Sequence, residues 1–131
     1  MIRNLVVPAC LMLGMFGGAV AEELLPPPKV LLAKEALSGV DGKESYLLDI
    51  DWPAHSTTGR HIHAGDEYAT VIEGELQLNV EGQPPKTVKA GEAYHNPAGL
   101  VHETRNVGDR PARSVALLVI QKGRPPTEPV K

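Results

Sequence analysis

Two histidines and a glutamate lie close together in the segment 60–67, which reads RHIHAGDE. Histidines separated by one residue project to the same side of a β-strand, because side chains alternate faces with a period of two. Glu67 follows His63 by four positions, beyond a turn signal at Gly65 and Asp66, so it can return to that side once the chain has bent. Imidazoles and a carboxylate that converge on one point suit a divalent first-row transition metal. The competing interpretation of this segment alone is a His-x-His pair on a solvated strand without function.

A second segment, 91–106, reads GEAYHNPAGLVHETRN and supplies another histidine after a Pro-x-Gly turn. Together the two segments resemble the cupin family, whose motifs are G-x5-H-x-H-x3,4-E-x6-G and G-x5-P-x-G-x2-H-x3-N. The matching positions are His61, His63, Glu67 and Gly74 in the first motif and Gly91, Pro97, Gly99, His102 and Asn106 in the second. One position departs from the pattern, because His55 stands where the first motif begins with glycine. Gly59 lies nearby, so we expect the loop before the histidines to turn differently.

The resemblance implies that His61, His63, Glu67 and His102 hold one divalent transition metal inside a barrel. Such a donor set does not choose among Fe, Mn, Ni, Cu and Zn. We expect these protein ligands to leave room on the ion for a substrate or for dioxygen. Asp66 is the rival carboxylate, but it is one residue out of register with the motif, and we expect it in a turn.

Several other side chains need an interpretation. His55 and His95 fall outside the motif positions, and we expect both at the surface, with a role for His95 beside the metal as the alternative. Tyr68 and Tyr94 are expected to be packing aromatics, and Asn106 to cap a loop or orient a neighbouring strand. Three glycines are expected where positive φ or tight turning is needed: Gly74, Gly91 and Gly99.

The beginning of the chain has the organisation of a secretory signal peptide. Arg3 gives a short positive start, an apolar stretch follows, and residues 19–21 read Ala-Val-Ala. We predict cleavage after Ala21 and a periplasmic or secreted mature chain without stable membrane insertion. The apolar run is short for a membrane span of about 20 residues, and a retained anchor is the alternative. Cys10 comes too early for a lipoprotein site and leaves with the leader, so the mature chain has no disulfide.

Size and charge limit the partners of this chain. Loss of residues 1–21 removes Arg3 and no acidic residue, so the formal net charge moves from −3 to −4. This mild acidity argues against nucleic acid, which requires a basic face. The length suits one small domain, which needs good closure or a partner to be stable. We predict a homodimer formed through edge strands, near Val30 or over residues 113–121.

Hydrophobic alternation predicts a β-protein. Tyr46, Leu48, Ile50 and Trp52 share one face of a strand. Residues 113–121 are almost continuously apolar, as expected for a strand that is covered on both sides. Short strands separated by turn signals predict an all-β sandwich or barrel, and the resemblance implies the double-stranded β-helix, or jelly-roll, barrel of the cupins. The predicted organisation is a signal peptide (1–21), an N-terminal arm with the first strand (22–40), the barrel (41–122) and a flexible tail (123–131).

Fold and metal do not select one activity, because cupins include dioxygenases, isomerases, lyases, decarboxylases and binding proteins. We favour a metal-dependent oxidoreductase, dioxygenase-like, that acts on a small molecule. The alternatives are a non-catalytic periplasmic module that binds a metal or small ligand, and a cupin isomerase or lyase. No catalytic residue beyond the metal set is indicated. Inward polar groups beside the metal would favour chemistry, which makes the directions of Gln77 and Asn79 informative.

Overall fold

Residues 19–131, which the computed structural model describes, form β-strands and turns and contain no helix. The strands are β1 (Glu23–Leu24), β2 (Lys29–Ala36), β3 (Lys43–Trp52), β4 (Ser56–Thr57), β5 (His61–Ile62), β6 (Gly65–Glu73), β7 (Glu75–Val80), β8 (Lys86–Lys89), β9 (Ala93–Asn96), β10 (His102–Arg105), β11 (Ala112–Gln121) and β12 (Glu128–Pro129). The predicted signal peptide lies outside the described residues except for its last three positions. Within the described range, no helix is long and apolar enough to cross a membrane.

The strands form two sheets. The seven-stranded sheet has the order β1-β4-β10-β5-β12, with β7 added to β10 and β8 to β7. The five-stranded sheet has the order β2-β3-β11-β6-β9. This all-β double-sheet arrangement confirms the predicted fold class.

The centre of the five-stranded sheet follows directly from the alternation in β3. Its inward side chains, which include Leu48 and Trp52, are buried as predicted. In the antiparallel register with β11, Leu48 lies opposite the small residue Ala116, which leaves space for the larger side chain. The indole Nε1 of Trp52 donates a hydrogen bond of 2.8 Å to Ser114 Oγ, so its polar atom is satisfied inside the core.

The prediction that β11 is covered on both faces was wrong. Leu118 and Ile120 are buried in the core, whereas Leu117 is 38% exposed. Val115 and Leu117 line a groove on the outer face of the sheet together with Tyr68. The continuous apolar pattern of β11 therefore arises because one face of the strand packs in the core and the other forms an apolar surface outside it.

The C-terminal segment, for which we predicted a flexible tail, contains a short paired strand. Glu128–Pro129 form β12, which pairs antiparallel with β5, and the Val130 amide donates to the Arg60 carbonyl at 3.0 Å. β12 is an edge strand of its sheet, a position at which proline, which has no backbone N–H, is tolerated. The proline-rich composition typical of a frayed end therefore also suits an extended edge strand.

Gly65 and Asp66 do not form the predicted turn but begin β6. The bend that returns the chain lies one residue earlier, at Ala64. A Cβ atom at Gly65 would lie 1.9 Å from the carbonyl oxygen of Val119 and 2.5 Å from Cα of Ile120. Glycine at this position thus permits a close approach of β6 to β11.

The loop before the histidines keeps a backbone that glycine favours. His55 has φ of 60°, in the left-handed region where histidine is among the better tolerated residues, so the departure from the motif does not by itself require a different turn. Its Nε2 lies 2.9 Å from Asp109 Oδ1. Asn106 orients neighbouring segments as predicted, donating to the carbonyls of Trp52 (3.1 Å) and Arg110 (2.8 Å). Positive φ is confirmed at the three predicted glycines, with 74° at Gly74, 85° at Gly91 and 75° at Gly99.

Candidate metal centre

Both sheets contribute to one cluster of buried polar side chains. His61 on β5 and His102 on β10 lie directly opposite each other in the antiparallel pairing. Glu67 is the third residue of β6 in the other sheet. His63 lies in the connection between β5 and β6. All four side chains are buried.

The atoms that could bind a metal lie close together. The candidate ligand atoms of His61, His63 and His102 all lie within 4.8 Å of one another. Glu67 Oε2 is 3.3 Å from His102 Nε2 and 3.6 Å from His63 Nε2. The structure therefore brings together all four residues of the predicted ligand set.

Backbone carbonyls determine which nitrogen of each imidazole carries the proton. The three contacts are His61 Nδ1 to Gly59 O (2.9 Å), His102 Nδ1 to Leu100 O (2.9 Å) and His63 Nδ1 to Pro126 O (2.6 Å). A carbonyl oxygen can only accept a hydrogen bond, so each Nδ1 must donate. In the neutral ring this leaves Nε2 with its lone pair as the nitrogen that can bind a metal.

The interior of the cluster lacks a hydrogen-bond donor for these lone pairs. Nε2 of His63 and Nε2 of His102 have no hydrogen-bond partner among the described residues, and both face the carboxylate of Glu67. Buried polar atoms without partners are costly and require an explanation. A bound cation would satisfy these atoms together, and imidazoles with a carboxylate suit a divalent transition metal. The residues present therefore fit a metal ion.

The electrostatics of the cluster favour the forms that bind metals. Burial lowers the pKa of His61 from 6.5 to about 4, with a further contribution from the neighbouring His102 and His63. Burial alone would raise the pKa of Glu67, but His102 and His63 in their protonated forms and the Asn96 amide favour the carboxylate more strongly and hold its pKa well below the usual range. At neutral pH, His61 is thus neutral and Glu67 is ionised, as metal ligands must be.

Asn96 is a residue of this site that the sequence analysis missed. It is fully buried, lies opposite Glu67 in the pairing of β9 with β6, and donates through Nδ2 to Glu67 Oε2 at 2.7 Å. The surface position predicted for His95 is confirmed, since its Nε2 lies 3.0 Å from Asp66 Oδ1 and its ring stacks on Tyr68. Asp66 therefore points away from the cluster. The alternation along β9, which turns the residue after His95 inward, was the available sequence signal.

Replacing Asn96 with alanine is expected to weaken metal binding about 10–100-fold, the usual effect of removing an outer partner of a ligand. Glu67 would lose the amide that orients Oε2 and would remain buried without it. Competition with a chromophoric chelator measures the affinity. His95→Ala, on the outward face of the same strand, is the matched control and should bind like the wild type. Equal affinities for both variants would refute the role of Asn96.

The metal-free protein is expected to lose stability as the pH falls from about 6.5 to about 4. An unfolded chain protonates its histidines near pH 6.5, whereas buried His61 protonates only near 4. Across this window the unfolded state binds more protons, so each step down in pH favours unfolding. Between these two pH values, the titration of His61 lowers the free energy of unfolding by about 3 kcal/mol.

Urea unfolding of the metal-free protein at several pH values measures this loss, and His61→Gln is the control. The variant should show a shallower fall in unfolding free energy over the same window. Identical pH slopes for the two proteins would show that His61 is not held neutral by burial.

A cavity of about 250 Å³ lies beside His61, His63 and Glu67. Its other lining residues are mostly apolar and come from the N-terminal arm, the core and the C-terminal segment: Leu25, Pro26, Pro27, Pro28, Leu48, Ile50, Thr58, Leu118 and Thr127. Gln77 and Asn79 do not reach it, because the inward residues of β7 are their neighbours Leu76 and Leu78. Among the described residues that line the cavity, the titratable ones all belong to the metal cluster.

The sequence profile of the cupin domain family matches residues 49–120 of this chain. The chain belongs to the cupin family. The matched region extends from within β3 almost to the end of β11 and contains all four clustered residues. This cupin carries a three-histidine cluster that can hold a metal.

Curated relatives of this cupin have different functions. Dimethylsulfoniopropionate lyase DddQ of Ruegeria pomeroyi is 34% identical over 70 residues, which cover 53% of this chain and 33% of the lyase. The HTH-type transcriptional regulator PuuR of Escherichia coli is 42% identical over 52 residues, which cover 39% of this chain and 28% of the regulator. The chain therefore spans about a third of the length of the curated relatives it matches.

Solved structures support the fold. An uncharacterized conserved protein with a double-stranded β-helix domain from Klebsiella pneumoniae superposes with a TM-score of 0.65 at 21% identity, over 82% of this chain and 86% of that one. At this identity the similarity shows the fold alone. Oxalate oxidase in complex with glycolate gives a TM-score of 0.51 at 29% identity, over 66% of this chain and 45% of the oxidase.

Proposed function

We propose that this cupin is a metal-dependent oxidoreductase of small molecules, with a divalent transition metal held by His61, His63, His102 and Glu67. The observation that carries this proposal is that the buried Nε2 atoms of His63 and His102, which have no hydrogen-bond partner among the described residues, both face the carboxylate of Glu67. The adjoining cavity, which His61, His63 and Glu67 help to line, leaves space for a small molecule beside the cluster.

The lining of the cavity favours redox chemistry over proton transfer. A lyase or isomerase needs an acid or base of the protein beside its substrate, but the titratable groups in this lining are themselves the proposed ligands. Tyr94 does not supply such a base, because burial and the charge of Glu67 raise the pKa of its phenol. A redox-active metal such as iron, manganese or copper would supply electron-transfer and oxygen chemistry. Similarity to oxalate oxidase is consistent with this class.

The residues of the chain have three tasks in this proposal. Leu48, Ile50 and Leu118 present an apolar surface that packs the body of the substrate and excludes water. The carbonyls bonded to each Nδ1 keep the imidazoles oriented. Asn96 holds the carboxylate of Glu67. A cavity of about 250 Å³ restricts the substrate to a small molecule.

Oxygen uptake by metal-loaded protein tests this proposal. The protein is loaded in parallel with Fe(II), Mn(II), Cu(II) and redox-inert Zn(II), and each form is screened against small carboxylic acids, aromatic acids and dimethylsulfoniopropionate. We expect substrate-dependent oxygen consumption with at least one redox-active metal and none with zinc. Turnover of a substrate by the zinc form without oxygen uptake would contradict an oxidoreductase and favour the lyase or isomerase class, towards which the similarity to DddQ points.

A non-catalytic binding module is the second candidate. The mostly apolar lining, without a further titratable side chain among the described residues, is what a binding site for a metal or small ligand needs. The partial match to a transcriptional regulator is consistent with such a role. Ligand binding by calorimetry without turnover under any metal would favour it.

We further propose that the chain forms a homodimer through the five-stranded sheet. The edge strand β2 leaves Val30 and Leu32 about half exposed, and Tyr68 and Leu117 are exposed on the outer face of the same sheet. An apolar edge and face of this kind are covered in stable proteins. Light scattering at micromolar concentration should give the mass of two chains, and a monomer would oppose the proposal.

Export is also a proposal, based on the leader pattern of residues 1–21. N-terminal sequencing of the protein from its native host should begin at Glu22. A chain retained in the membrane with its leader would contradict it.

A further inference from the structure

We propose that the C-terminal segment, residues 124–131, completes the metal site by fixing the tautomer and orientation of His63. This proposal rests on the metal site proposed above. It assigns a positioning role to the Pro126 carbonyl, which accepts the hydrogen bond from His63 Nδ1 at 2.6 Å. Thr127, the next residue, lines the cavity beside the cluster.

The three histidines differ in where their orienting carbonyls come from. His61 and His102 each use a carbonyl two residues earlier in their own segment, Gly59 and Leu100. These two contacts are local and involve no distant segment of the chain. His63 uses a carbonyl 63 residues away in sequence. Its orientation therefore depends on how the C-terminal segment docks.

The segment is anchored on both sides of Pro126. Before it, the Arg124 amide donates to the Gln121 carbonyl at 3.1 Å, which turns the chain away from β11. After it, β12 pairs with β5, placing Glu128 opposite Ile62 and Pro129 opposite His61. The side chains of Arg124 and Glu128 also form an ion pair across this stretch. Pairing with β5 thus docks the segment on the strand that precedes His63.

The physical consequence concerns the ligand atom. With Nδ1 donating to Pro126, a neutral His63 must keep its lone pair on Nε2, which faces Glu67. Without that carbonyl the ring can exchange its proton between the two nitrogens and rotate. Outer partners of ligating histidines are typically worth about 10–100-fold in metal affinity.

Truncation after Pro125, which removes residues 126–131, tests the proposal with two readouts. In the metal-free protein, ¹⁵N NMR of the imidazoles should show His63 changing from the Nδ1–H tautomer to a mixture, while His61 and His102 keep theirs. The affinity for Zn(II), measured by chelator competition, should fall about 10–100-fold. Deletion of Lys131 alone, which leaves the Pro126 carbonyl in place, should change neither readout.

A full-length variant tests the same proposal in case the truncated chain does not fold. It carries Pro126→Gly, Thr127→Ser, Glu128→Gly and Pro129→Ser, which keeps the length but removes the prolines that favour an extended backbone. The same change in the His63 tautomer is expected. An intact wild-type chain with the proton on His63 Nε2 would overturn the proposal, as would a folded truncation with an unchanged tautomer.

These outcomes are separate from those of the proposed function. The tautomer readout needs neither a metal nor a substrate. A chain that binds no metal would defeat the proposed function, yet would leave the effect of the segment on His63 measurable.

Discussion

Replacement of His102 by alanine is expected to abolish most metal binding while the fold persists. His102 is the contribution of the second motif to the cluster, and its Nε2 lies 3.3 Å from the Glu67 carboxylate. Loss of a direct ligand should exceed the effect of losing an outer partner, so we expect an affinity loss of more than about 100-fold. Elemental analysis gives the metal content, chelator competition gives the affinity, and circular dichroism confirms that the β-structure remains.

His95→Ala is the matched control for this prediction. His95 lies only seven positions earlier but points to the outer face, where it pairs with Asp66. This variant should hold as much metal as the wild type. A folded His102→Ala protein with undiminished metal, or a His95→Ala protein without metal, would show that the ligand assignment is wrong.

Replacement of Gly65 by alanine is expected to destabilise the whole domain. The added Cβ would lie 1.9 Å from the Val119 carbonyl oxygen, and this atom belongs to the backbone of β11 and cannot turn aside. Overpacking usually costs about 1–3 kcal/mol, and a clash with backbone should reach about 3 kcal/mol or more. Because β6 also carries Glu67, any shift of the strand should disturb the metal cluster as well.

Urea unfolding measures this effect, and Gly108→Ala provides the control. A Cβ at Gly108 would meet only the side chain of Asn106 at 3.4 Å, so a much smaller change is expected. If Gly65→Ala unfolds within about 1 kcal/mol of the wild type, the close approach of β6 and β11 in this structure is incorrect.

Much of the fold and of the site could be predicted because their signals are local. Alternation from Tyr46 to Trp52 depends only on the period of a strand, and it placed these side chains in the core. The spacing of His61, His63 and Glu67 suggested a metal site, and the resemblance to the cupin motifs added His102 to the cluster that the structure brings together.

The features that were missed depend on contacts between distant segments. Sequence alone favours a turn at Gly65, and only the structure shows that a Cβ atom at this position would clash with the Val119 carbonyl oxygen. Residue type does not distinguish Asn96 from the other amide side chains. Its role follows from the register of β9 against β6, which places it opposite Glu67. The C-terminal segment has the composition of a frayed end, and its order depends on pairing with β5.

The outer face of β11 gives a different reason for an error. Its pattern contains an apolar residue at nearly every position, and we assigned both faces to the interior. The structure shows that one face, with Val115 and Leu117, lies outside the barrel. A continuous apolar pattern cannot distinguish a face covered within the chain from a face available to a second copy.

Anomalous X-ray diffraction from crystals of the protein purified from its native host tests the central claim most directly. An anomalous difference map at the absorption edge of the metal found by elemental analysis locates the ion directly. We predict one peak per chain within bonding distance of Nε2 of His61, His63 and His102 and of a carboxylate oxygen of Glu67. A peak bound through Nδ1, or at residues outside this cluster, would contradict the metal centre described here.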